Sequence, residues 1–223
     1  MIFLSWNCRG LASKPKKLAL KEMVQCSNLD FIMLQESLGM SLEVLTTLSS
    51  LLPGWHFQAL DSVGHSGGLA IGFREGRLKI VNLWGMEHAL GMEVQFHDFD
   101  FPLMILNIYG PCQGKVSFWN DLLSKSVLRS QNLEIGGDLN FSMGNAETCG
   151  PSAREDPLLD FFMNSLSSHN LIDVNLIKLK PTWRNRRTGE ARIAKRLDHF
   201  LLCEDLTSRI PIFRQWVGEG GIL

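Results

Sequence analysis

Apolar positions along this chain follow two alternating rhythms. Strand-like runs, short and bounded by turn residues, lie at Ile2–Trp6, Asp30–Gln35, Gly67–Phe73, Leu78–Leu83, Met92–His97, Phe101–Tyr109, Leu133–Ile135, Leu197–Leu202 and Ile210–Val217. Helical spacing marks Lys16–Cys26, Leu42–Leu52, Val116–Leu128 and Asp156–Ser168. In the first of these helices Leu20, Met23 and Val24 share a face, with Ser13 or Pro15 near its start. The second is stopped by Pro53-Gly54, and the last turns Leu158, Leu159, Phe162 and Leu166 inward. Four strands in succession between 67 and 109 predict an antiparallel or mixed region. With no linker, repeat or low-complexity tract, the pattern predicts one α/β domain over 1–223, two sheets packed face to face with helices outside.

Composition narrows the function classes. With 45% hydrophobic residues the chain can bury a sizeable core, and a net charge of −1 argues against a broadly basic nucleic-acid coat. The five cysteines (Cys8, Cys26, Cys112, Cys149, Cys203) are scattered without a C-x-x-C pair, which predicts reduced thiols in an intracellular protein. No run has the length of a membrane span, and no membrane partner is expected. Met1-Ile2-Phe3-Leu4 lacks a basic lead and soon meets Asn7 and Arg9, so it reads as a first strand and not as a signal peptide.

Candidate chemistry gathers at strand ends. Gly-Gly-Asp-Leu-Asn at 136–140 follows the run Leu133-Glu134-Ile135 and presents Asp138 and Asn140 at a strand tip, where α/β proteins place their sites. On an extended backbone these two side chains point the same way, an anionic ligand or base beside an uncharged donor and acceptor. Asn7 ends the first strand, Glu36 follows Leu34-Gln35, Tyr109 closes a central strand, and Asp198 opens a late one. Singly, each has a bland role as a cap, a surface acid, a packing ring or a partner of Arg196. The one marked charge run, 184–196, carries Arg184, Arg186, Arg187, Arg192, Lys195 and Arg196 against Glu190. It reads as a solvated loop, or, beside a phosphate site, as a nucleic-acid contact.

Jointly and in this order, Trp-Asn-Cys-Arg-Gly-Leu, Leu-Gln-Glu-Ser, Ile-Tyr-Gly-Pro-Cys, Gly-Gly-Asp-Leu-Asn and Arg-Leu-Asp-His-Phe-Leu resemble the endonuclease/exonuclease/phosphatase superfamily. Their wording is most similar to plant LINE-type retrotransposon endonuclease domains. The resemblance covers nearly the whole chain and implies a DNase I-like, four-layered α/β sandwich with its site at one edge of two mixed sheets. It implies phosphodiester hydrolysis of DNA with Mg²⁺ (or Mn²⁺) held by Glu36, positioned by Asn7. Asp138 would orient or deprotonate the attacking water, Asn140 and Tyr109 would bond the phosphate, and Asp198 would orient a histidine. Arg184, Arg186, Arg187, Arg192 and Arg196 would bind nucleic acid. Acting on DNA, the protein would be nuclear, and no obligate protein partner is inferred.

Two departures qualify these expectations. Arg9 stands where some apurinic endonucleases carry an acid, which weakens a second metal. The family pattern continues with Ser-Asp-His where this sequence ends in Gly220-Gly221-Ile222-Leu223, so a C-terminally truncated domain with impaired nicking is expected. His199 is no substitute, since strand neighbours face opposite sides. His56, His65, His88, His97 and His169 fall in no motif and read as surface or core residues. Two other functions stay open: an inactive retroelement remnant that at most binds nucleic acid, and a phosphatase of a small phosphoester such as a phosphoinositide.

Overall fold

The computed structural model describes residues 1–63, 66–210 and 212–218. Two compact units divide them. The first holds Met1–Tyr109 and Ile135–Asp138, the second Gly110–Glu134 and the described residues from Leu139 onward. His65 and the chain end at 219–223, where the sequence placed its missing motif, lie outside the described residues.

The first unit runs β1 (Phe3–Asn7), α1 (Lys14–Ser27), β2 (Phe31–Gln35), α2 (Ser41–Leu51), β3 (Trp55–Val63), β4 (Ser66–Arg74), β5 (Leu78–Met86), β6 (Ala89–Phe96) and β7 (Leu103–Tyr109). Four of these strands form a mixed sheet in the order β1-β2-β4-β3, with β1 and β2 parallel and Asn7 opposite Gln35. Alternation sends the two faces of β2 to different partners. Ile32 and Leu34 join Leu20 and Val24 of α1 and Val44 and Leu48 of α2 in one apolar cluster. Phe31 packs on Phe3 at 5.1 Å, and Phe3 on Phe96 of β6, so the opposite face meets the strands β5–β7. A buried amide latch joins the two layers. Gln35 donates to Asn107 Oδ1 at 2.6 Å, and Asn107 donates to the carbonyls of Leu34 and Ala70. With its hydrogen bonds made, this polar pair is tolerated in an apolar interior.

β8 (Leu133–Asp138) begins in the second unit and ends in the first; within the first unit β5, β6 and β7 pair antiparallel in that order. The second unit adds α3 (Lys115–Ser124), β9 (Thr148–Cys149), α4 (Leu159–Ser168), β10 (Leu171–Asp173), β11 (Trp183–Arg184), β12 (Ala194–Lys195), β13 (Asp198–Cys203) and α5 (Glu204–Arg209), and within it β10 pairs antiparallel with β13. Its core is aromatic: Phe141 stacks on Phe162 at 3.7 Å, and Trp119 meets both edge-on. The two mixed sheets with helices expected from the sequence are present.

Several segments depart from the sequence pattern. Ile210–Val217 is not a strand among its described residues: Gln215 makes one isolated bridge to Leu176, and Ile212 and Trp216 face solvent, so no ladder supports the apolar run. Val116–Leu128 breaks at Lys125, whose extended backbone separates α3 from a 3-10 turn at Ser126–Arg129. The last predicted helix starts late, because the Asp156 carboxylate accepts the Leu158 N–H in a local turn. Strand β3 has no counterpart among the predicted elements. No helix among the described residues is long and apolar enough to cross a membrane.

Candidate active site

Parallel pairing puts the C-terminal ends of β1 and β2 at the same edge of the sheet, which is why residues 29 positions apart, Asn7 and Glu36, become neighbours. Backbone bonds lock the two exits together: Cys8 N–H donates to Gln35 O at 2.9 Å and Gly10 N–H to Glu36 O at 2.6 Å. The Cys8 thiol also donates to Gln35 O, and burial pushes it up to about 12, so it serves as a structural donor. Glu36 itself sits in the left-handed region at φ 51, as do Arg9 (φ 45) and Leu38 (φ 50). Such conformations cost on the order of 1–3 kcal/mol each and persist where surrounding bonds over-determine them.

The Asn7 carboxamide sits at the centre of the site. Its Nδ2 donates to Glu36 Oε1 at 2.7 Å and to Asp138 Oδ2 at 2.8 Å, while its Oδ1 accepts the Arg9 N–H at 3.3 Å. One neutral amide thus holds together a half-buried carboxylate just past the end of β2 and a buried one at the end of β8. Two carboxylates so placed repel each other, and a hard divalent cation with oxygen preference relieves that repulsion. The donor set therefore fits an oxygen-ligated metal. Tyr109, at the end of β7, is buried and lies beside His88, with its N–H donating to His88 O at 3.0 Å.

In the second unit Asn140 is again left-handed, at φ 56, with its Nδ2 donating to Gly110 O at 2.5 Å and its carbonyl accepting Lys115 Nζ. Asp198 and Leu197 both donate their N–H groups to Thr182 Oγ1. Arg184, Arg186, Arg187 and Arg192 are exposed. Arg196 corrects the expectation that grouped it with them. It is 2% exposed, and its guanidinium bonds Glu147 at 2.6 Å, Asp173 through two nitrogens at 2.6 and 2.9 Å, and Gln215 at 3.0 Å. A guanidinium so buried, with both terminal nitrogens engaged, does not face a phosphate backbone.

A sequence profile of the Endonuclease/Exonuclease/phosphatase family matches residues 4–219. The chain belongs to this family. Its fold is the DNase I-like α/β fold, and several solved structures share it at low identity. The endonuclease domain of TRAS1, a telomere-specific non-LTR retrotransposon, is 15% identical with a TM-score of 0.68, covering 92% of this chain and 85% of its own. The AP endonuclease LMAP from Leishmania major is 14% identical with a TM-score of 0.71, covering 92% and 79%. The Xenopus laevis APE2 catalytic domain is 16% identical with a TM-score of 0.70, covering 92% and 83%. No curated protein sequence matches the chain.

Sequence reasoning missed a second acidic group in this family member. Glu147, Asp173 and His199 offer ligand atoms within 4.8 Å of one another, the one such cluster among the described residues. Arg196 already supplies its cation, and His199, fully buried, bonds Asp173 Oδ1 at 3.2 Å and Phe141 O at 3.1 Å. The group is a buried ion network, whose partners become costly when separated. The run of like charges in the sequence does not mark Arg196 as the buried one; in the structure Ala194 and Arg196 are buried and Lys195 is only half-buried.

Proposed function

We propose that this chain is a Mg²⁺-dependent DNA endonuclease of the retroelement type. The observation that carries the proposal is the Asn7 amide holding the Glu36 and Asp138 carboxylates side by side at a sheet edge. Glu36, the more exposed of the two, would hold Mg²⁺ or Mn²⁺. When bound, such an ion neutralises phosphoryl oxygens and makes coordinated water more acidic. Asp138 accepts the proton of the attacking water, and Asn7 keeps both carboxylates oriented through the reaction. Tyr109 donates to a phosphoryl oxygen as charge builds, a stabilisation that acts mainly on the transition state. By the motif resemblance, Asn140 would make a like bond and Asp198 would take an orienting role.

DNA as substrate is supported by the exposed arginines of β11 and the β11–β12 loop. Asn185 clasps this loop with both ends of its amide: Nδ2 donates to Ala191 O at 2.7 Å, and Oδ1 accepts the N–H groups of Arg187 and Ile193. Arg184, Arg186, Arg187 and Arg192 would contact the phosphate backbone from there, and the protein would work in the nucleus. The retroelement type rests on the motif wording together with the fold shared with the TRAS1 domain.

The test is relaxation of supercoiled plasmid with and without Mg²⁺, beside Glu36→Gln. Nicking should require the metal and fall by on the order of 10²–10³ in the variant, the scale of losing one preorganised electrostatic contact. Absence of nicking, or nicking indifferent to Glu36→Gln, would leave a nucleic-acid-binding remnant as the reading that stands.

A further inference from the structure

Beside Tyr109 the first unit opens a cleft of about 340 Å³. Its floor is backbone at Gly67 and Gly68, both left-handed, at φ 85 and 78. A Cβ at Gly68 would come within 2.6 Å of Ser37 Oγ, so the packing beneath the floor requires glycine there. Leu60 and Leu69 give it an apolar wall. On another side stand His88, held at φ 68, and Tyr109, their rings 6.2 Å apart.

The rim is acidic. Asp61 and Glu87 line the cleft, and among the described residues no lysine or arginine does. Asp61 accepts the Ser41 N–H at 2.5 Å, a bond that holds its carboxyl below the usual range and keeps it anionic. Glu87 is exposed and lies 3.6 Å from His88 Nε2. Two carboxylates repel a phosphate but accept hydrogen bonds from a neutral ring bearing N–H groups. The volume is at the small end of ligand sites, enough for one flat ring and its sugar and far too small for a duplex.

We propose that this cleft is a nucleobase subsite. It takes the base of a nucleotide beside the scissile phosphate and favours one whose edge offers an amino group, cytosine foremost, over thymine. Carboxylates accept from the cytosine N4 amino group, whereas thymine turns a carbonyl oxygen to the same place. Tyr109 lines the cleft and is also the residue that the proposed function gives to the phosphoryl oxygen, and this shared residue links the subsite to that reading. The inference deepens the nucleic-acid reading above and rests on it.

The experiment titrates the full chain, without added metal, with deoxycytidine and separately with thymidine, following backbone amide NMR signals. Deoxycytidine should shift Gly67, Gly68 and His88 saturably, at a concentration at least about tenfold below that needed for thymidine, the discrimination one charge-assisted hydrogen bond supplies. Glu87→Gln should shrink that ratio toward one, and His88→Ala should weaken both nucleosides. Shifts absent at these amides, equal for the two nucleosides, or unchanged in Glu87→Gln overturn the subsite. Neither nucleoside carries a phosphate, so failure of the nuclease reading appears separately, in the plasmid assay.

Discussion

Gly137 shows how little freedom a site residue's neighbour can have. A Cβ there would lie 1.9 Å from Ile108 O, and the backbone is held at φ 148, where side chains are strained. Backbone cannot retreat as a flexible side chain can, so Gly137→Ala should cost roughly 3 kcal/mol or more. It should also displace Asp138, the next residue, and so weaken binding of the proposed Mg²⁺. Urea unfolding alongside a metal titration checks both, and an alanine variant of unchanged stability would refute the packing argument. The glycine pair in Gly-Gly-Asp-Leu-Asn was visible in the sequence, and its place at a strand tip followed from the apolar run before it. Which glycine is obligatory was not visible, because that depends on the Ile108 carbonyl, a group distant along the chain. Arg196 was misjudged for a similar reason: a run of arginines carries a charge pattern, and only its pairing with Glu147 and Asp173 tells which guanidinium turns inward.

At the scale of elements, β8 carries a liability alongside its chemistry. All six of its residues are buried, including Glu134, whose carboxyl burial pushes up to about 8 from the usual 4.5. Between those two values the unfolded chain has released a proton that the folded chain still holds, so stability should fall as pH rises from 4.5 and level off above 8. Glu134→Gln should remove this slope and stabilise the protein at about pH 8 by a few kcal/mol, scaled from about 1.4 kcal/mol per pKa unit. Chemical denaturation at about pH 5 and about pH 8 measures it, and parallel pH profiles for the two proteins would show that Glu134 ionises freely. Long buried strands such as β2 and β7 were legible because both faces are covered and the apolar run is continuous. Strand β3 was not, since the pattern reading stopped at Pro53-Gly54 although Trp55, Phe57 and Ala59 alternate toward the helix side. The two-residue strands β9, β11 and β12 have no periodicity to read, as they exist only through one another's hydrogen bonds.

For the whole molecule, a net charge of −1 leaves nucleic-acid affinity to local arginines. If Arg186 and Arg187 each neutralise a phosphate, replacing both with Ala should weaken duplex binding and reduce the salt dependence by about one unit of slope per contact. Affinity measured by fluorescence anisotropy over a range of KCl decides it, and an unaltered slope would return the segment to a solvated loop. The Asn185 clasp adds a thermodynamic consequence. A loop whose turn is already tied at Ala191 and Ile193 has little conformational freedom left to surrender in the proposed contact with DNA. Its association should therefore proceed without a folding step, with fast, strongly salt-sensitive encounter and only a small change in heat capacity. Asn185→Ala would turn the same arginines into a floppy segment that must order on contact, trading speed of capture for an entropic penalty.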